Sequence, residues 1–305
     1  MKRREFLNKG LKTFGLAGTL MHFPGMRLFA ADINETQPYD LVAVRGGEPV
    51  PMLDAAMKVL GGMGNYVKPG QTVVVKPNIG WDADPERAAN TNPALVGRIV
   101  SLCFEAGAKK VYVFDHTCDE WKYCYRNSGI EKAASDAGAV IAPAHSAGYY
   151  QEVTLPNAVK LKNSEVHELI LESDVFINVP VLKNHGSARL TVAMKNLMGI
   201  VWNRGYWHRN DLHQCIADFA GYQKPQLNII DAYRIMKKNG PRGVSVNDTA
   251  LMKSLIVSTD MLAADTAATL LFGMQPENIT YLTHARDAGL GRMDLENLNI
   301  KRIAL

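Results

Sequence analysis

Three consecutive stretches decide the fold: TVVVKPN (Thr72–Asn78), PALVGRIVSLCFEAG (Pro93–Gly107) and KVYVFD (Lys110–Asp115). The first and third are short, unbroken apolar runs rather than alternations of apolar and polar residues. Unbroken runs mark strands covered on both faces, the usual state of a parallel sheet. In the stretch between them, Thr91 and Asn92 offer a cap, apolar residues recur at helical spacing, and Gly107 provides a stop. Strand, helix and strand at this spacing make a βαβ unit.

The same alternation extends in both directions. Strands are expected at YDLVAV (Tyr39–Val44), AVIAP (Ala139–Pro143), DVFINV (Asp174–Val179), LNIID (Leu227–Asp231) and SLIVS (Ser254–Ser258). Helices are expected at Ile130–Ala137, Val166–Glu172 and Asp260–Leu271, the last capped by Asp260. QEVTLPNAVKLK, within residues 144–165, reads as a small antiparallel excursion. The expected fold is α/β: one domain over residues 32–305, with a doubly wound, mainly parallel sheet and helices on both faces.

The composition fits that expectation. The 305 residues are 47% hydrophobic and 21% charged, which excludes a disordered chain, a collagen and a coiled-coil rod. The formal charge of +4 is local. Lys2, Arg3, Arg4, Lys9, Lys12 and Arg27 face Glu5 alone within residues 1–31, and the rest of the chain is close to neutral. A nucleic-acid partner is therefore not expected. KRREFLNK (Lys2–Lys9), the weakly apolar segment after it and the small residues Ala30 and Ala31 read as a twin-arginine signal peptide over residues 1–31. The expected destination is the periplasm or beyond, reached through the twin-arginine translocation machinery. No later window has the ~20 apolar residues of a transmembrane span.

Polar residues gather where the apolar runs stop, which is where open parallel sheets bind ligands. Lys76 and Asn78 follow the first run, and Asp115 and His116 follow the next. Lys183, Asn184 and His185 follow INVPV, and Asp231 ends LNIID. LTVAMKN (Leu190–Asn196) adds Lys195 and Asn196 to an otherwise apolar, helix-like run, with Lys195 one turn after Thr191. Lys76, Lys183 and Lys195 with Asn78 and Asn196 would cradle a phosphate or carboxylate. His185, read as part of a glycine-bounded loop, would move a proton with Asp115 or Asp231, or hold a divalent metal with them. Taken singly, each residue also fits a cap, a turn or a solvated side chain, Lys76 and Lys183 less well because both sit against proline in apolar context. His208 and His213, five residues apart, miss the spacing of a helical metal pair. Cys103 reads as core. Cys118 and Cys124 share one loop and are compatible with a disulfide, with cluster ligation or with two free thiols.

In order, KPN, VYVFD after AGAKK, INVPVLKNH, LTVAMKNLMGI, HRNDLH, NIIDA, NGPRG and STDMLAADTAA resemble the bacterial and archaeal family catalogued as domain of unknown function 362. The resemblance covers roughly residues 40–303 and implies an α/β fold with these motifs at its centre. Many members carry a fused ferredoxin module. This chain has none, and its four cysteines do not fit one, so an iron–sulfur cluster is not expected. Asn184 stands where the family prefers threonine, and Met261 where it prefers proline. Two functions remain open. One is an exported enzyme acting on an anionic small molecule. The other is a non-catalytic binding or accessory protein for a redox or cofactor-dependent partner.

Overall fold

The computed structural model describes residues 39–305, so the leader read at residues 1–31 lies outside the described residues. The first half runs β1 (Leu41–Arg45), α1 (Pro49–Val59), β2 (Thr72–Pro77), α2 (Pro93–Glu105), β3 (Lys110–Val113), α3 (Trp121–Asn127), α4 (Ile130–Asp136) and β4 (Val140–Ile141). Then follow β5 (Tyr150–Thr154), β6 (Asn163–His167), α5 (Glu168–Glu172), β7 (Val175–Val179), β8 (Val181–His185), β9 (Arg189–Thr191) and the single turn α6 (Ala193–Asn196). The chain closes with α7 (Arg204–Arg209), α8 (Leu212–Tyr222), β10 (Leu227–Met236), β11 (Thr249–Ser258), α9 (Met261–Phe272), α10 (Thr280–Asp287) and β12 (Ile300–Ala304).

Ten of these strands form one mixed, mostly parallel sheet in the order β12-β1-β11-β10-β7-β2-β3-β4, with β8 on β10 and β9 on β8. β11 runs antiparallel to both β1 and β10. β5 and β6 form a separate antiparallel pair, the expected excursion.

The apolar runs are continuous because each strand serves two cores. In β2, Val73 and Val75 pack on one face with Leu95, Ile99 and Ile130. Val74 packs on the other with Ile216, Phe219, Leu262 and Ala267. Helices α1, α2 and α4 supply residues to the first core and α8, α9 and α10 to the second, so the sheet is covered on both sides. The caps follow the sequence reading. Asn92 Oδ1 accepts from Ala94 N and Leu95 N at the start of α2, and Asp260 Oδ1 accepts from Ala263 N at the start of α9.

Several boundaries differ from the expectation. The helix expected over Val166–Glu172 spans only Glu168–Glu172, because Val166 and His167 end the strand β6. LNIID is the first half of a ten-residue strand, so Asp231 lies mid-strand rather than at a strand end. β11 begins at Thr249, five residues before SLIVS, because its first half is only partly buried and lacks an unbroken apolar run. The segment after Val179 is also strand. Pro180 cannot donate to a ladder and ends β7, and β8 then continues beside β10, so His185 sits in a strand rather than a loop. Thr191 and Lys195 do not share a helix, since Thr191 ends β9 and α6 spans only Ala193–Asn196.

Candidate functional site

The period of two along the strands puts a polar stripe on the face that carries α6. Lys76 follows Val74 on that face, Asn178 follows Phe176, and the two are register partners. Asn228 pairs with Asn178 on the next strand. Above this stripe, Gly199 passes so close that a Cβ there would lie 1.8 Å from Asp115 Oδ1 and 2.5 Å from Lys76 Nζ. Only glycine fits that approach.

The floor of the site is a closed network. Lys76 Nζ donates to the Asn196 carbonyl at 2.7 Å and to Asn196 Oδ1 at 2.8 Å, and lies 3.0 Å from Asp115 Oδ1. That last contact pairs the charges without an aligned hydrogen bond to Oδ1. Asp115 Oδ2 accepts from Ile79 N at 2.6 Å. Asn78 Nδ2 donates to Asn196 Oδ1, and Asn196 Nδ2 donates to Asn178 Oδ1, both at 2.9 Å. Asn178 Nδ2 in turn reaches Asn228 Oδ1 at 3.1 Å. Lys183 Nζ donates to Asn78 Oδ1 at 3.0 Å and to the Ala89 carbonyl. Burial lowers the Lys76 pKa, opposed by the Asp115 charge. Lys183, with no carboxylate on it, is pushed down to about 7 by burial, with the neighbouring Lys195 and Lys76 charges acting in the same direction.

Lys76, Asn78, Asp115, Lys183 and Asn196 line a cavity of about 60 Å³ that shares a wall with a larger, open one of about 680 Å³. The shared wall includes Trp81, His116, Cys118, His185, Lys195 and Arg204. Its chemistry differs from that of the floor. Lys195 is partly buried, yet among the described residues no hydrogen bond or carboxylate meets its ammonium, and burial lowers its pKa to about 8. His185 Nδ1 accepts from Ala188 N at 3.1 Å. Neutral His185 therefore carries its proton on Nε2 and is a donor. Burial and then the Lys195 charge hold its pKa down to about 2, so it stays neutral. His116 is the opposite tautomer. Its Nδ1 lies 2.9 Å from the Val201 carbonyl, which can only accept, so the lone pair is on Nε2. The His116 ring stacks on Trp202 at 4.8 Å, and burial lowers its pKa. Arg204 is fixed by the carbonyls of His116 and Thr117 at 2.8 and 2.7 Å.

A remote carboxylate fixes the turn that carries Lys195. Asp265 in α9 accepts from Ala193 N and Met194 N at 2.7 and 3.0 Å, holding the start of α6. Burial raises its pKa to about 7.

Seven of the eight residues expected at the site therefore converge: Lys76, Asn78, Asp115, Lys183, His185, Lys195 and Asn196 all line the small cavity. Asp231 does not. Its carboxylate accepts from Asn92 N at 2.7 Å and Tyr233 N at 3.0 Å, which ties β10 to the start of α2. No group of three His, Cys, Asp or Glu side chains among the described residues is arranged to hold a metal ion. All four cysteines are free, and Cys118 and Cys124 do not share a loop, since Cys124 lies buried in α3. His208, at the end of α7, lines the open cavity. Arg204 and the close approach at Gly199 escape sequence reasoning, because nothing in WNRG or LMGI sets them apart from ordinary helix and turn residues, and Thr191 is singled out only by its spacing from Lys195. His116 does carry a signal, since it directly follows Asp115.

The profile of the family described as "Domain of unknown function (DUF362)" matches residues 73–269, which contain every residue of the floor and shared wall named above. The thylakoid-associated protein sll1697 of Synechocystis sp. (strain ATCC 27184 / PCC 6803 / Kazusa) is 27% identical over 252 residues, covering 80% of this chain and 76% of that protein. The structure of the lactate racemase apoprotein from Thermoanaerobacterium thermosaccharolyticum aligns with a TM-score of 0.45 at 12% identity, over 74% of this chain and 55% of that one. The chain thus spans little more than half the length of that structure. No helix among the described residues is long and apolar enough to cross a membrane.

Proposed function

The chain belongs to the DUF362 family, and from the site it carries we propose that it binds a small anionic molecule in the open cavity, seated on Lys195, His185 and Arg204. The observation that carries this reading is Lys195: a partly buried ammonium with no hydrogen bond or ion pair, in a wall that also presents the His185 Nε2 proton. An unpaired ammonium out of water is costly, and an anion at this point would offset that cost. Even without Lys183, the lining of the two cavities holds Lys76, Lys195 and Arg204 against Asp115 and Glu165, so the local field favours an anion. Trp81, Met198 and Trp202 give the cavity apolar wall for the rest of the ligand. Lys76, Asn78 and Asn196 act one layer below, holding Asp115 and α6 in place. In an enzymatic version of this reading, His116 is the base through Nε2 and His185 the donor. A thermal-shift panel of phosphates, nucleotides and small carboxylates tests the proposal, with stabilisation by at least one anion expected in wild type and lost in Lys195→Met. A panel in which no anion raises the melting temperature contradicts it.

The proposal includes export of the folded chain by the twin-arginine route. The support is the Arg3–Arg4 pair with Phe6 and Leu7 close behind. Arg3→Lys with Arg4→Lys is expected to keep the protein in the cytoplasm, and undiminished export of that double variant would remove the assignment.

A further inference from the structure

Lys183 and Lys76 face the same small cavity, but their surroundings differ in kind. Lys76 has a carboxylate at 3.0 Å, whereas Lys183 has only two neutral acceptors, Asn78 Oδ1 and the Ala89 carbonyl. An uncharged amine has two protons, and here both have an acceptor, which leaves its lone pair free. Asn78 presents its oxygen to Lys183, and its amide nitrogen donates to Asn196 Oδ1. Burial disfavours a charge on Lys183, and the nearby Lys195 and Lys76 charges act in the same sense against the opposing Asp115 charge. A lysine kept neutral by desolvation and neighbouring cations is a nucleophile for carbonyl carbon.

Directly across the ladder stands Thr191, the register partner of Lys183. Its hydroxyl is buried, lines the same cavity and has no hydrogen-bond partner among the described residues. Buried hydroxyls are ordinarily satisfied, so this one marks the position of a missing polar group beside the amine. His185 is two residues along β8 from Lys183 and therefore on the same face, where it presents a proton on Nε2.

We propose that Lys183 captures a small 2-oxo carboxylate as an imine, with the carboxylate on Lys195 and the oxo group between Lys183 and Thr191. This rests on the anion-binding reading above and narrows it to a class. The lysine nitrogen bonds to the oxo carbon and the carbon–oxygen double bond opens. Both amine protons leave with that oxygen as water, and a carbon–nitrogen double bond remains. No oxidant or reductant is needed. The imine so formed is neutral, and the carboxylate pairs with the Lys195 ammonium.

The test is reductive trapping of the purified folded protein with pyruvate and sodium borohydride, followed by intact mass and peptide mapping. The expected product is one adduct per chain, equal to pyruvate less water plus two hydrogens, on the peptide containing Lys183. Oxalate, which has no reactive oxo carbon, is expected to raise the melting temperature and to suppress the adduct. Lys183→Arg and Lys183→Met, each checked for an intact melting transition, are expected to lose it. An absent adduct, one spread over surface lysines, or one retained in a folded Lys183 variant would overturn the imine. Stabilisation by oxalate without an adduct would sink the imine and leave the anion reading standing. An adduct on Lys183 with no response to oxalate would keep the amine and sink the carboxylate seat. If neither occurs, both fall.

Discussion

The floor and the mouth of the site are built from the same residue types and behave in opposite ways. On the floor, Lys76, Asn78 and Asn196 bond one another and Asp115 in an unbroken chain. A few residues away, Lys195 has no such bond, and His185 turns a proton toward the cavity instead of a lone pair. Lysine and asparagine at a sheet edge are thus not a ligand site as such. What separates scaffold from site is whether the donors already have partners, and a motif does not display that.

Removing a partner from the floor is expected to have the largest effect. Lys76→Met leaves Asp115 buried with its Oδ1 facing no cation, at a cost of about 3–5 kcal/mol, read as a lower denaturation midpoint with an unchanged slope. A loss below about 1 kcal/mol would show that the floor is not held by that pair.

The next effect concerns the link between the two regions, since Asp265 fixes the turn bearing both Asn196 and Lys195. The folded chain keeps the Asp265 proton up to about pH 7, while the unfolded chain releases it near the ordinary 3.8. Between those values the unfolded chain binds fewer protons, so this group makes stability fall as pH rises. Over that window the loss is on the order of a few kcal/mol. Denaturation at successive pH values is expected to show this slope in wild type and a flatter one in Asp265→Asn. Equal slopes would remove Asp265 from the account.

Gly199→Ala is expected to cost about 1–3 kcal/mol through overpacking, because its Cβ would meet the Asp115–Lys76 pair. Full stability in that variant would mean that the pair is loosely held. Lys195→Met is expected to have the smallest effect, within about 0.5 kcal/mol of wild type, since no partner is left behind. A strongly destabilised Lys195→Met would place Lys195 in the floor and erase the distinction.

Much of this could be read from the residues. Continuous runs such as TVVVK and DVFINV announce a sheet covered on both faces, and Lys76, Lys183 and Lys195 stand out because cations at the ends of apolar runs need a reason. The limits are equally physical. Asp231 resembled a strand-end residue because Tyr233 and Arg234 interrupt the apolar run after it, while pairing with β11 carries the strand on to Met236. The donor character of His185 depends on the Ala188 N–H, and that of His116 as a base on the Val201 carbonyl, contacts that exist only once the chain is folded. Arg204 enters the wall by way of two backbone carbonyls, which leave no trace in sequence.

The central claim is that the unpartnered lysine of the mouth, rather than the polar cluster as a whole, seats an anion. Calorimetric titration of oxalate into wild type and Lys195→Met at pH 7, with melting curves taken on the same samples, tests it most directly. Saturable binding to wild type and none to an equally stable Lys195→Met is the predicted result. Equal binding to both proteins, or none to wild type, would contradict it.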